Sequence, residues 1–213
     1  MTIDWHDARA HGFRHDPLKA IVAPRPIGWI STYAADGTAN LAPYSFFNLV
    51  SDRPKIVMFA SNGFKHSATN AIARGGFAAN LATSGDRAVV SESSAELPAG
   101  ESEFEASGLT PLRCRMVDAP RIEGNAAVLE CAVTEHMIPR TREGGRSGSV
   151  IVFGEIVGYW LDDALLRDGR FDSAAARLLS RLGYRDYAVV DETFEMVRPT
   201  DAAKSGEGRT RAP

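Results

Sequence analysis

Cysteine is scarce. Only Cys114 and Cys131 occur among 213 residues, which excludes a CxxC redox pair or a cysteine-based zinc site. Both sit in segments that alternate apolar and polar residues, and so read as two reduced core thiols in a cytoplasmic protein. No apolar run approaches the roughly 18 residues of a membrane span. The first residues are polar, with His6, His11 and His15 near Asp4, Asp7 and Asp16, and lack the charged-then-apolar order of a secretory signal. A basic excess is missing too: 24 Lys and Arg face 27 Asp and Glu, a net charge of -3. That balance argues against a general nucleic-acid binder but leaves room for one basic pocket. No GxGxxG follows a strand, no GxxxxGK[ST] occurs, and there is no GxSxG elbow.

What is present is an ordinary globular composition, 44% hydrophobic and 24% charged. The length suits one large domain or one domain with extensions, burying roughly 70% of its unfolded surface without disulfides or metal. Strand signals dominate. Ile27–Tyr33 and Asn40–Val50 flank Asp36-Gly37, a strong hairpin signal. Lys55–Ala60 and Phe77–Ala82 read as buried strands. Ala126–Ile138 and Ser149–Leu161 read as a long hairpin linked by 139–148, and Tyr187–Val190 and Phe194–Val197 as short final strands. Three helices are expected: Ser67–Arg74 with Ser67 as N-cap, Asp86–Leu97, and Asp172–Leu182 with Asp172 as N-cap and Gly183 as its stop. About eight strands with few helices between them predict a mainly β fold, a barrel with short helical insertions, rather than a Rossmann alternation. An N-terminal extension would occupy 1–23, the domain 24–198, and a disordered tail 199–213.

Three segments hold polar groups where ligands bind. Ser31 and Thr32 are adjacent in a strand and so point to opposite faces. In Asn40–Asn48, Pro43 cannot donate to a ladder, so the segment is an edge, a bulge or a departure from the sheet. A departure would offer free backbone groups to a planar heterocycle, with Phe46 and Phe47 as apolar walls; a kinked strand with core aromatics fits as well. Ser61–Ser67 follows a buried strand and opens a helix, where free N–H groups and the positive dipole end suit a phosphate. Ser61, Lys65 and Ser67 add donors there, although a plain helix start with a solvated lysine reads equally well. The N-terminal histidines read as a solvated segment, His136 as a strand histidine, and Arg140, Arg142 and Arg146 as a solvated turn.

Taken together, Pro24–Thr32, Asp36-Gly37, Asn40–Asn48, Lys65–Asn70, Phe104–Pro111, Glu130-Cys131, Gly154–Gly158 and Arg181–Gly183 resemble, in order, the flavin reductase-like, FMN-binding split-barrel proteins. The resemblance runs from Pro24 to Pro199. It implies a split β-barrel that forms a homodimer with FMN near the interface. Ile30, Ser31 and Thr32 would line the ribityl and phosphate side. Ser45, Phe46, Phe47 and Asn48 would border the isoalloxazine ring, Ser61, Lys65 and Ser67 would hold the phosphate, and Asn80 and Arg181 would stand nearby. His66 stands where the family commonly has Asp, and Ser67 where it has Thr. The implied activity is transfer of hydride from NADH or NADPH to flavin, with electrons passed onward, and it needs no catalytic side chain. A monooxygenase could be the partner that accepts them. The alternative is a flavoredoxin-like electron carrier reduced by a protein partner.

Overall fold

The computed structural model describes residues 3–98 and 100–198, so the tail expected at 199–213 lies outside the described residues. In chain order the strands are β1 (Arg25–Pro26), β2 (Gly28–Tyr33), β3 (Ala39–Tyr44), β4 (Phe47–Asp52), β5 (Lys55–Asn62), β6 (Gly76–Leu81), β7 (Pro111–Arg113), β8 (Pro120–Ile122), β9 (Ala127–Met137), β10 (Ser149–Leu161), β11 (Leu166–Arg167), β12 (Arg170–Phe171), β13 (Leu179–Arg181) and β14 (Tyr187–Val189). The α-helices are short: α1 (Leu18–Ile21), α2 (His66–Arg74), α3 (Arg87–Glu92) and α4 (Glu103–Ala106).

Seven strands form one antiparallel sheet in the order β3-β2-β6-β9-β10-β5-β4. Its two edge strands, β3 and β4, are consecutive in the chain and joined only by Ser45 and Phe46. Laid flat, those edges would stand about 29 Å apart at the usual strand spacing. Two linking residues span no more than about 11 Å. The sheet therefore rolls up until its edges meet, and the join between them is the split of a split β-barrel.

Local sequence explains the roll. The Asp36-Gly37 turn closes β2 on β3: Gly37 takes φ 90°, and the Thr38 N–H donates to the Asp36 carboxylate at 2.9 Å. Pro43 faces Trp29 across the β2–β3 pair and, lying on an edge strand, withholds no ladder bond the sheet needs. Gly28 brings β2 close to the far edge, since a Cβ there would lie 2.5 Å from the Phe47 ring. Inside the barrel, Ile30, Val57, Phe59, Phe77, Val150 and Val152 pack with Ala68 and Ala71 of α2, which plugs one end. On the outer face, Trp29 and Leu41 pack with Val90 of α3, Phe104 of α4 and Leu179 of β13. Hence β2 is buried on both faces, and its two polar side chains, Ser31 and Thr32, are both buried with hydrogen-bond partners.

Under the β7–β8 corner lies a buried carboxylate. Glu130 accepts from Arg115 N at 3.0 Å, Met116 N at 2.6 Å and Trp160 Nε1 at 2.6 Å. Burial raises its pKa, but these donors and Arg121 outweigh it and hold the carboxyl below the ordinary range. Cys114 and Cys131 are both free. Burial pushes the Cys114 thiol up to about 12 and the Cys131 thiol higher still, so neither is reactive.

Four expected elements differ. The run Asn40–Val50 is two strands on opposite edges, not one. Asp86–Leu97 is a 3₁₀ turn at Ser84–Asp86 followed by α3, which ends at Glu92. Asp172–Leu182 is not a helix. Asp172 caps one turn through Ala175 N at 2.9 Å, Arg177 then turns left-handed at φ 52°, and the chain continues as β13. Phe194–Val197 is irregular rather than strand.

Candidate functional site

Where the edges meet, the Ser45–Phe46 link separates two adjoining cavities that share Lys19, Ser45, Phe46, Ala60 and Ser149. The polar one, about 670 Å³, runs from this link past the end of β5 to the start of α2. The apolar one, about 740 Å³, lies on the far side of Phe46, between β4 and α1. Both volumes fall within the ordinary range of small-molecule sites.

Helix α2 opens into the polar cavity. Lys65 holds the N-cap position, and the first intrahelical bond runs from Thr69 N to Lys65 O. Among the described residues, no acceptor takes the N–H groups of His66, Ser67 and Ala68, and His66 and Ser67 line the cavity. Such a helix start favours an anion. Ser61 is 1% exposed, lines the same cavity, and its hydroxyl has no hydrogen-bond partner. An orphaned buried hydroxyl is costly unless a ligand completes it. A phosphate monoester would complete both: it brings acceptor oxygens to the Ser61 hydroxyl and to the helix N–H groups. The Lys65 ammonium is already paired with the Glu96 carboxylate, which raises the lysine pKa and lowers that of the glutamate.

Behind this cleft is a buried polar layer. The Ser67 hydroxyl does not cap α2; it donates to Asn40 Oδ1 at 2.9 Å, and the Thr32 hydroxyl donates to the same oxygen at 3.3 Å. Asn70 Nδ2 donates to the Thr32 hydroxyl at 3.3 Å. Asn40 Nδ2 and Leu41 N both donate to Glu103 Oε2, at 2.8 and 3.0 Å. Asn40 and Glu103 line the cavity as well. Sequence reading missed Asn40, Glu103, Glu96 and Lys19. The available signal was a polar residue inside a buried strand for Asn40; the other three approach only through folding.

The residues expected at the site divide into groups. Ser61, Lys65 and Ser67 converge on the polar cavity. Phe47 and Asn48 line the apolar one, and Ser45 and Phe46 border both. Phe46 is half-exposed, and its carbonyl accepts from Ala60 N at 2.8 Å. Thr32 sits one layer behind, acting on the cleft through Asn40. Ile30 lies in the barrel core. Ser31 and Asn80 face the other side of β2: the Ser31 hydroxyl donates to Pro120 O at 2.5 Å, Asn80 Nδ2 donates to Ser31 Oγ at 2.8 Å, and Ile122 N donates to Asn80 Oδ1 at 2.9 Å. Arg181 donates to Tyr184 O at 2.5 Å and stacks on Tyr187, lining neither cavity.

Fold and cleft together define a split barrel with a phosphate-suited pocket where its edges join. The sequence model of the flavin reductase like domain matches residues 22–180, and the chain belongs to that family. It is 34% identical over 188 residues to the uncharacterized protein BH2278 of Halalkalibacterium halodurans, covering 86% of this chain and 90% of that one. Among solved structures, nitrilotriacetate monooxygenase component B from Bacillus cereus superposes with a TM-score of 0.82 at 25% identity, over 92% of this chain and all of that chain. Flavoredoxin of Desulfovibrio vulgaris superposes at 0.75 with 19% identity, over 84% of this chain and 94% of that one, a likeness of fold.

Proposed function

We propose that the protein binds FMN across the two cavities and acts as an NADH- or NADPH-dependent flavin oxidoreductase. The observation that carries this reading is the orphaned Ser61 hydroxyl beside the open first turn of α2, in a chain of the flavin reductase-like family. Ser61, Lys65 and the first turn of α2 would hold the phosphate, with Ser67 and Thr32 fixing Asn40 behind it. The backbone of Ser45–Asn48 would border the ring, with Phe46 and Phe47 as its walls. Held there, FMN would supply two-electron redox chemistry between a reduced nicotinamide and an acceptor such as a monooxygenase partner. The side chains bind, orient and exclude water, and none is assigned a proton-transfer role.

The reading extends to architecture. Residues 24–198 form the domain and 1–23 its extension. Exposed Leu49 and Val50 on the β4 edge, next to exposed Phe46, suit the contact of a homodimer. Two unreactive thiols suit a reducing compartment such as the cytoplasm. No helix among the described residues is long and apolar enough to cross a membrane.

The test is anaerobic titration of FMN-loaded protein with each reduced nicotinamide, followed at the flavin absorbance band. Bleaching by NADH or NADPH at catalytic rates is expected. Slow bleaching by both, with fast reduction by a ferredoxin-like donor, would instead make the protein an electron carrier.

A further inference from the structure

The apolar cavity has a charge asymmetry that its hydrophobic walls do not require. Leu18, Ile21, Val22, Phe47, Met58 and Ile151 form its apolar walls, and among the described residues Lys19 and Arg25 are the only charged ones that line it, with no Asp or Glu. Arg25 is 8% exposed, yet it meets only carbonyl oxygens: Nη1 donates to Lys19 O and Val22 O at 2.5 Å each, and Nη2 to Leu182 O at 2.7 Å. Its Nε is buried without any partner. Among the described residues neither Lys19 nor Arg25 forms an ion pair. A buried guanidinium without a counter-ion is costly, and its field is poorly screened inside an apolar cavity. Carbonyl dipoles orient toward it but leave its net charge uncancelled.

Lys19 is the cation a ligand can reach. It stands on α1, exposed, and lines both cavities. Arg25 fixes this helix by gripping its last carbonyls, and Ala20 packs so closely on Gly183 that a Cβ at 183 would lie 2.5 Å from the Ala20 Cβ. The α1 wall is thus held in place, with Lys19 set at its rim.

We propose that this cavity selects its second ligand by charge, taking a planar aromatic anion, a carboxylate or sulfonate, whose ring lies against the apolar wall and whose acid group pairs with Lys19. Calling this ligand the second one rests on the flavin reading, in which Ser45–Asn48 border the first ring; the charge selectivity itself does not. Arg25 contributes a fixed positive background rather than a direct contact. The same field disfavours a cationic occupant.

The test is calorimetric titration of the full-length protein, with and without FMN, using 2-naphthoate and its neutral isostere 2-naphthamide. Naphthoate is expected to bind at least about tenfold more tightly, the worth of one charge-assisted hydrogen bond. Raising the ionic strength should narrow that margin. Lys19→Met should erase most of the preference, and Lys19→Arg should keep it. Because α1 buries no side chain, neither substitution threatens the fold. Equal affinity for the two probes, or a preference that Lys19→Met leaves intact, overturns the proposal. Uptake of FMN is measured separately by absorbance. Failure there sinks the flavin reading, while the probe ratio on the FMN-free protein still decides charge selectivity.

Discussion

The side-chain amide of Asn40 donates to the carboxylate of Glu103 at 2.8 Å, across 63 positions of sequence, and so ties the edge strand of the barrel to α4 behind the polar cavity. Glu103 is almost fully buried and also accepts from Leu41 N, so one carboxylate sets both the backbone of β3 and the rotamer of Asn40. Removing it by Glu103→Ala leaves two buried donors unpaired and should cost about 2–4 kcal/mol. In a chain of this size that lowers Tm by roughly 4–15 °C. Glu103→Gln keeps an acceptor and should recover most of the loss in the same thermal melt.

Ser61→Ala separates binding from folding. Its hydroxyl has no partner within the protein, so FMN-free stability should be unchanged or rise by up to about 1 kcal/mol. FMN affinity should fall about 5- to 15-fold, one hydrogen bond's worth, while riboflavin affinity stays put. A drop in the stability of the FMN-free form would show that the hydroxyl serves the fold instead.

Lys65 and Glu96 make an opposed pair. If Lys65 holds the phosphate, Lys65→Ala should weaken FMN binding by roughly 1.5–3 kcal/mol. The phosphate must first draw the ammonium away from Glu96, to which it is already paired. Glu96→Gln removes that competitor and should tighten FMN several-fold, with riboflavin again unchanged. Fluorescence titrations of the two variants moving FMN affinity in the same direction would contradict this arrangement.

Gly28→Ala probes the join of the barrel edges. The added methyl would meet the Phe47 ring at 2.5 Å, forcing the ring or the edge strand to move. The expected cost is about 1–3 kcal/mol. Because Phe47 also lines the apolar cavity, FMN affinity should drop together with Tm.

Glu130 should give the protein an acid-sensitive component. Its folded-state pKa lies below the ordinary value of 4.5, so unfolding takes up a proton as the pH falls past that value. Its stabilisation is fully present above pH 4.5 and is lost as pH drops through the lower folded-state pKa. Glu130→Gln should therefore be less stable than the parent near neutrality, with the gap shrinking in strong acid. Urea melts across that range check it; a gap that does not change with pH would assign the loss to packing.

How far the sequence reaches is visible in particular residues. Asp36-Gly37 and the alternating runs around it specify the β2–β3 hairpin locally, because turn chemistry and side-chain period act over a few residues. Pro43 narrows its segment to an edge, a bulge or a departure for the same reason, and the fold makes it an edge. The run from Asp172 has the residues of a helix and begins one, but Arg177 O accepts from Ser84 N and Leu179 N donates to Ala82 O, and those partners draw the chain into β13. Ser67 looks like a cap because the local pattern is right; buried Asn40, 27 positions away, takes its hydroxyl instead.

The sequence by itself determined the mainly β fold, the hairpin around Asp36-Gly37 and the family, and it marked Ser61 to Ser67 as a candidate for a phosphate. Each rests on short-range pattern: period, turn residues and the open first turn of a helix. Tertiary structure alone decided that Ser31 and Asn80 brace the outer face while Thr32 backs the cleft, that Glu96 pairs with Lys65, and that Lys19 and Arg25 leave an apolar cavity positively charged. These depend on which distant groups the rolled sheet brings together, and spacing along a chain carries no measure of that.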